Sequence, residues 1–224
     1  MAPVRLIALS FAAIILIGTL LLTLPVSARS GEFTHPFNAL FTATSATCVT
    51  GLIVFDTFTH WSEFGQGVIL LLIQLGGLGL VTFTTFFTLA VRKRLGFRDL
   101  QIAGEAAGTG IQSLPALFRL IVRFTFTLEA AGAVLLCIRF VPEMGLEGLW
   151  VSVFLAVSAY CNAGFDLLGE NAPFSSLTHY ASDPLVLTVI SLLIILGGLG
   201  FIVMSDLLHW RHTKRLLLHS RIVL

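Results

Sequence analysis

Charge is what this sequence has least of. Of its 224 residues only 11% are Asp, Glu, Lys or Arg, against roughly a quarter in an ordinary soluble domain, so most of the chain has too little polar surface to face water. Cysteine is also scarce. Cys48, Cys137 and Cys161 are odd in number and lack metal-ligand spacing, which implies neither a disulfide framework nor a zinc site and leaves the redox compartment open. A formal net charge of +1 gives no electrostatic reason to expect nucleic acid or another polyanion as partner. No His-Glu-x-x-His pair is present, and Gly104 to Gly110 lacks the Lys-Ser/Thr ending of a phosphate loop. The six histidines, at 35, 60, 179, 209, 212 and 219, sit mostly in polar flanks. No catalytic constellation results, and the chain reads as a non-enzyme with no covalent cofactor.

Apolar residues fill the space that charge leaves: 56% of the chain is hydrophobic and the mean hydropathy is +0.96. Several segments, not one anchor, must then be apolar enough for lipid. Leu6 to Leu24, before Pro25, is one run; Val68 to Val91 is a second, about Leu117 to Val141 a third, and about Leu185 to Trp210 a fourth. At roughly 1.5 Å per residue each is long enough for a crossing. For the first run a secretory leader is the rival, because Val26-Ser27-Ala28 has small cleavage-site character, but the run exceeds the usual apolar core of such leaders. Two further apolar stretches, Pro36 to Ala46 and Leu149 to Ala159, are too short to cross and suit re-entrant segments.

Basic residues orient the spans. Arg92, Lys93, Arg94, Arg98, Arg119 and Arg123 flank the loop between spans two and three, and Arg211, Lys214, Arg215 and Arg221 follow span four; with Arg5 these are 11 of 13. If that side is cytoplasmic, both termini are inside and both short segments enter from outside. Glu32, Asp56, Glu63, Glu143, Glu147, Asp166, Glu170 and Asp183 then face outward, as an acidic vestibule for cations or simply as solvating loop residues.

An internal repeat adds function to this layout. Phe41-Thr-Ala-Thr-Ser-Ala-Thr-Cys-Val-Thr-Gly51 aligns with Phe154-Leu-Ala-Val-Ser-Ala-Tyr-Cys-Asn-Ala-Gly164, 113 residues on, with six identities in eleven positions. Leu75-Gly-Gly-Leu-Gly79 returns 121 residues on as Leu196-Gly-Gly-Leu-Gly200. The unit is span, short helix, Gly-ended loop, span, and both copies start inside, so the repeat is parallel, not inverted. Irregular backbone at membrane depth is tolerated only where protein buries it or it lines water. A short helix descending from outside turns its partially negative C-terminal end toward the bilayer centre, which favours a cation. Carbonyl oxygens can there replace a cation's water shell. One copy of Ser-Ala-x-Cys-x-x-Gly would read as small-residue packing; two copies in register favour a pore loop.

At these residues the sequence resembles the Trk/Ktr/HKT superfamily of potassium transporters, particularly its bacterial membrane subunits. Phe41 to Leu52 resembles the first pore loop of that family, Ser158 to Phe165 the second, and Gln74 to Gly79 with Leu196 to Phe201 its glycine-containing helices. The resemblance runs from about His35 onward and covers two of the family's four units, as in an amino-terminal half; it puts transport by this chain alone in doubt, along with the gating loop of the third unit. It implies an all-α membrane protein of two parallel helix, pore-helix, filter-loop and helix repeats of the potassium-channel-like type. Residues 1–91 form the first pore repeat, 92–114 a cytoplasmic linker, 115–210 the second repeat, and 211–224 a lead into a third. The implied function is potassium uptake across a bacterial inner membrane, this chain supplying half of a pseudo-fourfold filter; the alternative is a half-transporter or assembly subunit that does not conduct. Backbone carbonyls of Val49, Thr50, Gly51, Asn162, Ala163 and Gly164 are the expected potassium ligands, with Cys48 and Cys161 behind them. A Gly at position 51 goes, in that family, with potassium selectivity. Expected partners are potassium as the transported ion, lipid, a carboxy-terminal half or second copy, and a cytoplasmic nucleotide-binding regulatory ring for which the Arg92 to Arg98 segment is a candidate contact.

Glu129 and Gln74 stand apart as polar groups inside apolar spans, and each reads first as a hydrogen-bonding residue between helices. The paired glycines at 76, 77 and 79 and at 197, 198 and 200 read as close-packing positions before hinges. The orientation is testable by cysteine labelling in a background lacking Cys48, Cys137 and Cys161. Sites near Arg94 and Arg215 should label only from the cytoplasmic side and sites near His60 and Asn171 only from outside; external labelling near Arg94 would contradict the four-span layout.

Overall fold

In a bilayer the backbone has no water to bond to, so an apolar run is driven to satisfy its N–H and C=O groups internally as helix. A computed structural model describes residues 3–92, 114–170 and 172–199 in these terms. Seven α-helices follow one another among the described residues: α1 Pro3–Thr23, α2 Pro36–Thr47, α3 Thr57–His60, α4 Glu63–Arg92, α5 Leu114–Met144, α6 Leu146–Tyr160 and α7 Pro184–Gly198. No strand occurs among the described residues; the sole extended pairing there is an isolated bridge between Ala28 and Trp61. One described stretch, Ile121–Met144 of α5, is by itself long and apolar enough to cross a membrane, while Ala8–Thr23, Glu63–Leu78 and Pro184–Gly198 are shorter apolar stretches. The linker expected over 92–114 lies, but for its two ends, outside the described residues, as do the rest of the fourth span to Trp210, Gly200, Asn171 and the 211–224 lead.

Local sequence accounts for the element ends. Pro25 stops α1, and the hydroxyls of Thr19 and Thr23 are satisfied inside it by donating to the carbonyls of Ile15 and Thr19, both at 2.7 Å. Pro36 opens α2 at a position where its missing N–H costs nothing, behind the N-cap His35. Asp56 caps α3 through Thr59 N–H at 2.9 Å. Asp183 caps α7, accepting from Leu185 and Val186 N–H at 3.0 and 3.2 Å. Those N–H groups, Val186 foremost, with the Arg139 guanidinium 2.7 Å away, hold the Asp183 carboxyl below its ordinary range. Between α5 and α6 the chain reverses at Gly145, whose φ of +64° is left-handed, and Gly148 lets the α6 backbone lie on the Phe140 carbonyl.

The helices pack as two triads, α1 with α2 and α4, and α5 with α6 and α7, and the triads meet where α4 touches α5 and α6. In each, the middle helix, α2 or α6, packs against both of the others. One continuous core includes Leu22, Ala43, Ile69 and Ile73 from the first triad and Leu136, Phe140, Phe154 and Val186 from the second. Polar bonds cross between the triads as well. Gln66, 1% exposed, donates to the Trp61 carbonyl and accepts from Trp150 Nε1 at 2.8 Å. Asp56 accepts from Phe174 N–H at 2.8 Å, 118 residues away, and Gly169 leaves the space its carboxylate occupies.

Candidate cation site between two loops

Helix α2 ends at Thr47 and α6 at Tyr160, 113 residues later, and the chain leaves both in the same way. Val49 N–H bonds the Ala46 carbonyl and Thr50 N–H the Ser45 carbonyl; correspondingly Asn162 N–H bonds Ala159 and Ala163 N–H bonds Ser158. These paired bonds form a Schellman closure, whose residue just past the cap takes the left-handed conformation. The φ values are +57° at Val49 and +59° at Asn162, then +73° at Gly51 and +74° at Gly164. Asn tolerates that region, but a β-branched Val there is strained and persists only where its surroundings fix it.

Side chains secure each loop to its helix by different bonds from one matched position. Thr50 Oγ1 donates to Ser45 Oγ at 2.9 Å, whereas Ser158 Oγ donates to the Phe165 carbonyl. The two loops meet at their glycines. A side chain at position 51 would begin 2.7 Å from the Ala163 oxygen and 3.5 Å from Gly164 Cα, and one at position 164 would begin 3.6 Å from Gly51 Cα. Thus the six residues expected as ligands lie on two loops brought into contact at Gly51, Ala163 and Gly164, beside the carbonyl-rich ends of two helices. Thr50, Asn162 and Gly164 are exposed, Val49 and Gly51 half-buried, and Ala163 buried. Carbonyl oxygens are the donors this arrangement offers a cation; among the described residues no group of three or more His, Cys, Asp or Glu is placed to hold a metal.

The glycine-containing helices explain how the loops are seated. At Gly76 of α4 a Cβ would collide with the Thr47 carbonyl, and at Gly197 of α7 with the Tyr160 carbonyl, the same contact in each triad. Gly77 is a cross-contact: its Cβ would lie 2.5 Å from Cys161 Sγ of the other loop. The cysteines are therefore unequal. Cys161 is half-buried behind its loop, whereas Cys48 is exposed. The Thr47 hydroxyl is buried and, among the described residues, is the side-chain polar atom left without a hydrogen-bond partner.

Two features of the site escape sequence reasoning built on glycine alone, the left-handed Val49 and Asn162. Their signal is the helix end itself, since a Schellman closure needs such a residue two positions before each loop glycine. Gln66 was equally readable as a lone amide near the start of an apolar helix, as Gln74 was. Replacing Gly76 or Gly197 by Ala should lower the thermal stability of the detergent-solubilised protein by about 1–3 kcal/mol, the usual cost of overpacking. Gly67 lies on the same helix α4 with open space where a methyl group would stand, nothing coming within 4 Å of it, and should accept Ala with little change.

Comparison with known proteins gives this geometry its relatives. The family model described as TrkH, cation transport protein, matches residues 3–222. The potassium/sodium uptake protein NtpJ of Enterococcus hirae is 43% identical over 228 aligned positions, covering 100% of this chain and 49% of the relative. The Ktr system potassium uptake protein B of Bacillus subtilis is 40% identical, covering 99% of this chain and 49% of the relative, and that of Vibrio alginolyticus is 41% identical, covering 98% and 48%. The chain spans about half the length of the curated relatives it matches. With the family model matched over nearly the whole chain, this protein belongs to the TrkH family of cation transport proteins.

Proposed function

We propose that the chain takes part in potassium uptake and supplies two of four loops around a cation path, with carbonyls of Val49, Thr50, Gly51, Asn162, Ala163 and Gly164 as ligands. The single observation that carries this reading is the contact of two loops with matched backbone geometry at Gly51 and Gly164. Carbonyls of the loop that are not used in bonding back to its own helix are open to a dehydrated cation. The names of the relatives, potassium and potassium/sodium uptake proteins, supply the ion.

Two loops enclose only part of an ion. Exposed Cys48, Thr50 and Asn162 beside the contact leave a side for further loops, contributed by a carboxy-terminal half or by a second copy about a twofold axis. On this reading residues 1–91 and 115–210 are the two pore repeats in a bacterial inner membrane, with both termini and the 92–114 linker cytoplasmic and a nucleotide-binding ring as regulatory partner. A second reading, a subunit that assembles but does not conduct alone, is favoured by the same exposed loop faces.

The test is Gly51→Ser. At φ +73° a side chain is strained and meets the Ala163 oxygen, so the carbonyls of both loops must shift. Rubidium-over-sodium uptake by the conducting assembly should fall by about tenfold, equivalent to about 1.4 kcal/mol of lost discrimination. Unchanged preference at normal expression would count against the filter assignment.

A further inference from the structure

Among the described residues, the second loop has a polar backing that the first does not show. Glu129, in the middle of α5 and 4% exposed, accepts from Gln74 Nε2 through both carboxylate oxygens, at 3.1 and 3.3 Å. Its Oε1 lies 4.0 Å from the Cys161 sulfur, within reach of the thiol as donor. One turn earlier on α5, buried Thr125 donates to the Tyr160 hydroxyl at 3.4 Å. Helix α5 therefore holds two consecutive residues, the last of pore helix α6 and the first of the loop.

Gln74 belongs to α4 of the other triad, so this bond joins the triads as well as the loop. Three residues along the same helix, Gly77 makes room for the Cys161 side chain. At the matching positions of the repeat stand Leu16, 60% exposed, and Ile195, 55% exposed, neither able to hydrogen-bond through its side chain. An ionisable group in an apolar helix is costly and is retained where it faces partners. Hydrogen bonds are directional, which suits a support that must hold one geometry.

We propose that Glu129 is a positioning residue for ion selection, which together with Gln74 fixes Cys161 and so sets the spacing of the Asn162, Ala163 and Gly164 carbonyls. The proposal rests on the filter reading above. It makes selection depend on a contact between triads, and it makes the second loop the one whose geometry is set from behind by side chains of two helices.

The experiment measures rubidium-over-sodium uptake in the conducting assembly for Glu129→Ala, Glu129→Gln and Gln74→Ala, with Gly51→Ser alongside. A ratio is independent of expression level, which a merely structural defect would lower without changing selection. Glu129→Ala and Gln74→Ala should reduce the ratio at least threefold, while Glu129→Gln, which keeps size and an acceptor for Gln74, should stay within twofold of the parent. Should Glu129→Ala fail to accumulate, Gln74→Ala, which removes the donor and keeps the carboxylate, decides in its place. An unchanged ratio in both Ala variants while Gly51→Ser shifts it would overturn this inference and leave the filter reading standing. A Glu129→Gln ratio as low as that of Glu129→Ala would also overturn it, since position would then not be what Glu129 supplies. An unchanged Gly51→Ser would instead overturn the filter reading itself.

Discussion

Peptide groups at membrane depth must find partners within the protein, and the rest of this structure depends on how α2 and α6 meet that demand where they stop. A helix end leaves carbonyls and N–H groups open, and in an apolar medium each unsatisfied group costs several kcal/mol. Here two N–H groups past each helix turn back to its last turn, at Val49 and Thr50 and again at Asn162 and Ala163. That closure imposes left-handed φ at Val49 and Asn162 and carries the chain to a second positive φ at Gly51 and Gly164. The loop is thus defined by how its helix is finished. The closure leaves the carbonyls of the loop residues themselves outside these bonds.

Packing protects that solution. Gly76 and Gly197 bring α4 and α7 onto the carbonyls of Thr47 and Tyr160, so the ends of α2 and α6 are covered by backbone. Between triads the ties are polar and far apart in sequence: Gln66 with Trp150, Gln74 with Glu129, and Asp56 with the Phe174 N–H. Side-chain hydrogen bonds of this kind add little each in membranes, but together they fix how one loop faces the other. Asp56 and Gln66 tie the triads near the ends of α3 and α4 that face the 172–183 segment and α6, and Gln74 with Glu129 ties them behind the second loop.

Much of this was legible in the sequence because the repeat is written in residue identities. The short stretch Pro36 to Ala46 became a helix ending one residue later, since Pro marks its start and the Ser-Ala-x-Cys block its end. Boundaries failed where polar residues belong to helices: α4 begins at Glu63, not Val68, because Glu63 and Gln66 reduce local hydropathy while remaining helical, and α6 begins at Leu146 across Glu147 and Gly148. The left-handed Val49 was not legible, because a β-branched residue is the one least expected there and only the surrounding closure compels it. Gln74 and Glu129 each signalled a need for a partner. Their pairing did not follow from sequence, since it brings together two residues 55 positions apart on separate helices. Cys48 and Cys161 look equivalent in the repeat, and their different burial goes with Gly77 of α4 and Glu129 of α5, which stand beside Cys161.

The TrkH family membership and the half-length match to potassium uptake proteins make the loop pair the place to look for the ion. The most direct measurement is anomalous scattering from rubidium or thallium bound to the conducting assembly. The account predicts density in contact with the carbonyl oxygens of residues 49–51 and 162–164, on the side of the loops away from Gly76 and Gly197. Density confined to other parts of the protein, with these carbonyls turned from it, would contradict the central claim.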